Sequence, residues 1–240
     1  MSISKRPAFR LYQGIWAGID LLYPPCCAGC GKREVRWCGE CKASVILIKP
    51  PYCPKCGKSQ LKEQLCPECS TEAPRLAALR SWAVFDGALR NAIHKFKYER
   101  DLSMGGTFAE PLCDFLEFLK WSIELIIPVP LSKKRLMERG YNQSAFLARP
   151  IALYFGIQYS DKSLLRVRDT HTQVGFNAEQ RRQNVAHAFY AKTELVSKKN
   201  ILVVDDVTTT GATLDACAEA LITANAKNVY GLTLARAVLT

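Results

Sequence analysis

The sequence predicts an α/β protein: a parallel sheet flanked by helices, with a small metal-binding module at its N-terminal end. Three observations predict it. Four Cys-x-x-Cys pairs are packed between positions 27 and 69. Beyond Pro74 the composition changes to apolar strand and helix patterns. Near the C-terminus, Ile201 to Val204 form a four-residue apolar run that reads as a buried parallel strand. Asp205 and Asp206 follow it, at the end of a strand where open α/β sheets take their ligands.

The bounds come from length and composition. The 240 residues suit one ordinary domain plus a small module, and 48% hydrophobic content supplies a core, which excludes a disordered chain. No secretory signal is found, because Leu11 to Tyr23 is interrupted by Gln13 and Asp20 and has no cleavage site. No apolar run reaches about 18 residues, so no transmembrane segment is expected and the location expected is cytoplasmic. The formal net charge is +11; two zinc ions on eight thiolates would bring it to about +7. A balance of that sign favours nucleic acid, phosphates or an acidic partner.

Taken in order, residues 1–25 hold a predicted helix with an apolar stripe (Phe9, Leu11, Tyr12, Ile15, Trp16, Ile19, Leu22, Tyr23), ended by Pro24 and Pro25. It is expected to dock on the module or the main domain. A membrane-surface role is the weaker alternative, since its polar face carries few basic residues. Residues 26–72 are the metal module. Its pairs are Cys27/Cys30, Cys38/Cys41, Cys53/Cys56 and Cys66/Cys69, separated by 7, 11 and 9 residues. Each pair makes a knuckle, and two knuckles complete a tetrahedral site, so two structural zinc ions are expected. Sequential pairing, giving a double zinc ribbon, is the expectation; spacing alone also admits crossed pairing, and Cys26 beside Cys27 remains an alternative ligand. Cys113 and Cys217 fall in apolar helical patterns and read as inert core thiols. Lys32, Arg33, Arg36, Lys55 and Lys58 alternate with Trp37 and Tyr52, a pattern suited to gripping a strand of nucleic acid and equally to a solvated face.

Residues 76–240 form the main domain. A strand is predicted over 79–85, a turn at Asp86-Gly87, helices over 89–98 and 108–121, and a strand over 125–129. A helix follows over 145–155, and a last strand over 229–235 with Arg236 after it. Residues 132–182 contain ten Lys or Arg against four Asp or Glu. Much of the basic excess therefore lies over the sheet edge that carries Asp205 and Asp206.

The turn after those aspartates, Val207, Thr208, Thr209, Thr210, Gly211, Ala212 and Thr213, opens a helix marked by Leu214, Cys217, Ala218, Leu221 and Ile222. Free amides at that helix start, together with the threonine hydroxyls, make a phosphate cradle. Adjacent carboxylates there make sense if they bind vicinal hydroxyls, as on a ribose, with the phosphate deeper in the loop.

The run Ile201-Leu-Val-Val-Asp-Asp-Val-Thr-Thr-Thr-Gly-Ala-Thr213 resembles the phosphoribosyl pyrophosphate (PRPP) loop of type I phosphoribosyltransferases. The cysteine pairs add to the resemblance, as do Arg139-Gly-Tyr-Asn-Gln-Ser144, Arg166-Val-Arg-Asp-Thr-His-Thr-Gln173 and Arg181-Arg-Gln-Asn-Val-Ala-His-Ala-Phe189. Together they make the chain, over roughly residues 20–240, similar to the ComF family. The resemblance implies a double zinc ribbon fused to a type I phosphoribosyltransferase-like domain, linked to natural transformation and the handling of single-stranded DNA. It implies that Asp205 and Asp206 bind ribose hydroxyls and that Thr208 to Thr213 hold the 5′-phosphate. Lys133, Arg135 and Arg139 would face a pyrophosphate that brings Mg²⁺, and Arg166, Arg168 and Arg181 would belong to a closing hood. Proteins of the DNA uptake machinery are implied partners. No nucleobase pocket is identifiable, so three functions remain: a PRPP- and single-stranded-DNA-binding accessory protein, an active transferase with an unknown acceptor, and a PRPP sensor.

Overall fold

The computed structural model describes residues 7–99, 101–168 and 187–237. The chain begins with helix α1 (Pro7–Leu22), and the short helices α2 (Gly39–Ala43) and α3 (Pro67–Thr71) lie in the cysteine module. The main domain follows as β1 (Ala78–Val84), α4 (Gly87–Tyr98), α5 (Met104–Leu119), β2 (Leu125–Pro128), α6 (Lys133–Arg139) and α7 (Gln143–Phe155). It continues with β3 (Gln158–Tyr159), β4 (Leu164–Arg166), β5 (Phe189–Ala191), α8 (Thr193–Val196), β6 (Asn200–Thr208), α9 (Ala212–Thr223) and β7 (Asn228–Arg236).

Five strands form a parallel sheet in the order β1-β7-β6-β2-β3. The central strands are apolar on both faces because both faces are covered. Leu202 and Val204 face a cluster built from α4, α5 and α7. Ile201 and Val203 face a second cluster containing Leu214, Cys217, Ala218 and Leu221 of α9 and residues of the antiparallel β4–β5 ribbon. Cys113 and Cys217 are both fully buried in these clusters, as core thiols should be. From β2 the chain moves outward to β3, and from β6 it moves the other way to β7. The crevice between the C-terminal ends of β2 and β6 is therefore a topological switch point, where open α/β sheets bind ligands.

Three local readings change. Asp86-Gly87 does not make a free turn, because helix α4 begins at Gly87 with Asp86 at its N-cap position. Strand β6 does not stop at Val204. Its ladder with β7 continues through Asp205↔Thr233, Val207↔Ala235 and Thr208↔Arg236, so cross-strand pairing overrides the poor strand propensity of aspartate. The turn shrinks to Thr209–Gly211. The basic segment is also more helical than expected, with α6 at its centre and Ser132 Oγ capping it by accepting from the Arg135 amide at 3.2 Å.

Helix α1 docks. Phe9 is fully buried and its ring meets Tyr154 of α7 edge-on at 5.2 Å, while Arg36 of the module donates to Asp20 (2.7 Å from Nε) and to the Trp16 carbonyl at 2.9 Å. Residues 46–48, between the two cysteine sites, pair antiparallel with β1 through Ile48 N to Trp82 O at 3.0 Å and Val84 N to Ile46 O at 2.8 Å. The module thus covers the sheet edge that β1 would otherwise expose. Among the described residues no helix is long and apolar enough to cross a membrane.

Candidate functional site

The eight cysteines gather as Cys27/Cys30/Cys38/Cys41 and Cys53/Cys56/Cys66/Cys69, with the sulfurs of each set within 4.8 Å of one another. Sequential pairing holds. Cys26 is exposed, bridges to Arg33 through its backbone and lies outside both sets.

The two sites are built alike. Cys27 N donates to Lys32 O at 2.7 Å and Gly31 N to Cys27 O at 2.8 Å; in the second site Cys53 N donates to Lys58 O at 2.8 Å and Gly57 N to Cys53 O at 2.9 Å. Gly31 and Gly57 take φ of +83° and +72°, the left-handed geometry that glycine adopts without a Cβ penalty. Cys38 and Cys66 each sit at the N-cap of a five-residue helix.

Sulfur pairs at 3.7 Å (Cys30–Cys38) and 3.6 Å (Cys56–Cys66) match the edge of a tetrahedron of about 2.3 Å Zn–S bonds, roughly 3.8 Å. The thiol electrostatics fit as well. Burial would raise Cys27, but backbone amides of Cys38, Cys30 and Gly29 pull it down to about 6, and Cys53 is drawn to about 6 in the same way. Cys41 and Cys69 are pushed far up by burial and by their neighbouring sulfurs. Four sulfurs this crowded ionise together only beside a cation, and these residues would hold zinc, which supplies structural cross-linking where few apolar side chains exist.

At the ligand edge of the sheet, the end of β6 carries the aspartates. Asp206 is buried and pairs with Lys97 Nζ of α4 at 3.0 Å. Its Oδ1 also accepts from the Val207 amide at 2.6 Å, while its buried Oδ2 accepts no hydrogen bond among the described residues. Half-buried Asp205 accepts from Ser144 Oγ at 2.7 Å and from the Asp206 amide at 2.9 Å. Burial first, and the Asp206 charge second, raise the Asp205 carboxyl to about 7.

Ser144 is placed by the start of α7. Asn142 caps that helix through Oδ1, accepting from the Ser144 amide at 3.0 Å, and its Nδ2 holds the Val129 carbonyl at 3.0 Å. The Asn-Gln-Ser part of the Arg139–Ser144 motif thereby ties the end of β2 to the end of β6.

The loop after β6 turns on Gly211, whose φ is +91° and whose added Cβ would stand 3.0 Å from Leu79 Cδ2. Ala212 N donates to Thr210 Oγ1 at 3.3 Å. The amides of Thr213 and Leu214, before the first i→i−4 bond of α9 (Ala212–Thr223) from Asp215 N to Gly211 O at 2.9 Å, have no intrahelical acceptor by construction. Thr209, Thr210 and Thr213 are partly exposed around them, whereas Thr208 and Ala212 are buried.

The basic residues divide. Lys133 and Arg135 stand on α6, exposed and half-exposed, and Arg139 lies over the Tyr98 ring at 5.1 Å. Arg139 Nη1 is buried without a hydrogen-bond partner among the described residues. Arg166, on the β4–β5 ribbon, lies over Phe189 at 5.6 Å, and Arg168 is exposed just after that strand. Arg181 lies outside the described residues.

Comparison with known proteins bears on both halves. Residues 18–70 match the family described as double zinc ribbon domain, and residues 142–237 match the phosphoribosyl transferase domain. The chain is 31% identical over 221 residues to Competence protein F of Haemophilus influenzae, covering 88% of this chain and 90% of that protein. The chain belongs to the ComF family. Other ComF-like relatives are DNA utilization protein YhgH of Salmonella typhi, 31% identical over 71% of this chain and 77% of that protein. Competence protein ComFC of Streptococcus pneumoniae is 28% identical, over 71% and 74% respectively. The ComF match accounts for the architecture: a double zinc ribbon on a phosphoribosyltransferase-type parallel sheet.

Three residues of this ComF site escape a reading of sequence alone. Lys97 comes from a helix about a hundred residues before the aspartates, and Ser144 was visible only as the last letter of a motif. Arg236 was legible as a residue at the ligand end of β7, but not its partners: Nη1 donates to Thr209 O at 3.2 Å and Nη2 to Cys56 O.

Proposed function

We propose that this ComF-family chain is an accessory protein of DNA uptake that binds PRPP, or a related phosphoribosyl ligand, with Mg²⁺ at residues 201–213, and single-stranded DNA on its basic face. The observation that carries the reading is the pair Asp205–Asp206 beside a glycine-turned helix start, at the switch point of a phosphoribosyltransferase-type sheet. The names of its relatives, competence and DNA utilization proteins, support the wider role.

In this reading Asp205 and Asp206 accept from the ribose hydroxyls, and the unsatisfied Asp206 Oδ2 gains a donor. Thr209, Thr210, Gly211, Ala212 and Thr213 surround the 5′-phosphate, while Thr208 and Val207 hold the loop to the sheet. Lys133, Arg135 and Arg139 face the pyrophosphate, and Arg166, Arg168 and Arg181 belong to the hood that closes over the site. Mg²⁺, when bound, supplies charge neutralisation on the pyrophosphate oxygens.

Calorimetric titration of zinc-loaded protein with PRPP and Mg²⁺ is the test. Wild type should bind, and the Asp205→Ala/Asp206→Ala variant should lose binding; absence of heat with folded wild type overturns the ligand assignment. DNA binding should fall with salt and with charge loss at Arg139 or Arg181, yet survive Asp205→Ala. Salt-independent or absent binding overturns the DNA part.

One observation favours a second reading, an active phosphoribosyltransferase. A carboxyl raised to about 7 at Asp205 has the proton affinity of a base acting near neutral pH. Mg²⁺-dependent pyrophosphate release on adding an acceptor would support it, and no release across bases, nucleosides and small amines would remove it.

A further inference from the structure

Building on the phosphoribosyl-binding reading above, we propose that Arg236 is a positioning residue that couples the second zinc centre to the phosphate loop. Zinc at Cys53/Cys56/Cys66/Cys69 then regulates ligand binding, while zinc at the first centre does not.

Two independent connections carry this. The first is Arg236 itself, 8% exposed and level with Thr208 in the sheet. One guanidinium spans the two parts, donating to the carbonyl of Cys56 in the knuckle and of Thr209 in the loop. Among the described residues no carboxylate forms an ion pair with it. A buried guanidinium needs counter-charge, and the negative groups acting on it are the sulfurs of Cys56, Cys66, Cys53 and Cys69. A zinc ion on four thiolates carries two net negative charges. The metal centre is thus the counter-ion of the residue that anchors the loop.

The second connection is steric. Leu79 N donates to Lys55 O at 2.7 Å inside the knuckle. The Leu79 carbonyl packs so closely on Gly57 that an added Cβ would stand 2.4 Å from it. The same leucine places Cδ2 beneath Gly211, the left-handed pivot of the loop. Among the described residues no hydrogen bond joins the first centre to that loop: Gly29 of its knuckle packs on Ala88 at the start of α4.

Losing the second zinc frees the knuckle, so the Cys56 carbonyl that holds Arg236 and the Lys55 carbonyl that holds Leu79 are no longer fixed, and the Thr209–Gly211 turn loses both anchors. By reciprocity a bound ligand must slow loss of that zinc.

Hydrogen exchange in residues 207–214 of the full-length, zinc-loaded protein tests the coupling without any ligand. Cys69→Ser and Arg236→Gln should each speed exchange there, by about tenfold if the coupling is of ordinary size. Cys41→Ser should not, and Arg236→Gln should still hold two zinc ions. Unchanged exchange in Arg236→Gln, or equal acceleration in Cys41→Ser and Cys69→Ser, overturns the proposal. If the variants fail to fold, stepwise chelation of the wild type serves instead. Exchange in 207–214 must then rise with loss of one zinc of the two, and exchange that rises only on global unfolding overturns the proposal. Calorimetry with PRPP and Mg²⁺ on the same wild-type sample keeps the two readings apart. No heat removes the ligand assignment alone, while the exchange result still decides the coupling.

Discussion

The two zinc ribbons share one local design and differ in how they are held. The first docks mainly through apolar contacts: Ala28 is fully buried in the main core, and Trp37 meets Phe108 of α5 edge-on at 5.5 Å, with Arg36 to Asp20 of α1 and Asn91 Nδ2 to Gly29 O at 3.4 Å beside them. The second docks through polar ones: Arg236 to Cys56 O, Leu79 N to Lys55 O at 2.7 Å, and Arg80 to Pro54 O at 3.0 Å. Nearly identical knuckles therefore acquire different surroundings. Apolar docking is non-directional and tolerates small shifts. Hydrogen bonds to fixed carbonyls set the position of the neighbouring Thr209–Gly211 turn more strictly.

The largest effects come from the metal sites. Cys41→Ser and Cys69→Ser should each lower zinc content from two to one, and each removes a contribution on the order of 10 kcal/mol of metal-binding free energy. Elemental analysis with circular dichroism checks this. If either variant loses both ions, the ribbons fold as one unit and the contrast fails.

Phe108→Ala should cost about 3–5 kcal/mol in denaturant titration, since Phe108 is 2% exposed. Trp37 fluorescence should report the loosened first ribbon, with zinc retained in the second.

The polar side should also carry a pH dependence. The Asp205 carboxyl stands near 7 in the fold against about 3.9 unfolded. Its contribution is fully present below pH 4 and is lost as pH rises through 7. Asp205→Asn keeps an acceptor for Ser144, so it should match wild type at pH 4 and exceed it by about 4 kcal/mol at pH 8. Equal stability at both values would remove the buried-carboxyl account.

Arg80→Ala should cost about 1–2 kcal/mol, losing the bond to Pro54 O and its position over the Tyr52 ring at 4.4 Å. Smallest of all, Glu68→Gln should change stability by no more than about 0.5 kcal/mol. Its 2.7 Å pair with Lys58 lies in solvent, with side chains 62% and 53% exposed.

Much of this was legible from residue order. Cysteine spacing specified eight metal-ligating thiols in four knuckles, because each Cys-x-x-Cys pair is a local turn; in the first knuckle of each site a glycine, Gly31 or Gly57, follows where positive φ falls. The apolar run 201–204 marked the central strand, and Asp205, Asp206 and Gly211 marked its ligand end. Other details lay beyond local patterns. Asp86-Gly87 reads as a turn but starts a helix, and Val207 and Thr208 read as part of a turn but join the ladder. In the first case the N-cap preference of aspartate wins over the turn signal, and in the second pairing with β7 overrides local preference.

The sequence by itself determined most of the elements, the metal-binding cysteine pairs and the class of the sheet, because periodicity, cysteine spacing and turn chemistry act over a few residues; which pairs share an ion was decided by the structure. Only the tertiary structure decided that Cys26 stands apart, that Lys97 neutralises Asp206, and that Ser144 reaches Asp205. It alone brought Cys56, 180 residues before Arg236 in the chain, to the same guanidinium as the loop. Those partners meet because the sheet order sets β7 between β6 and β1. No local pattern in the chain encodes which residues stand at the ends of neighbouring strands.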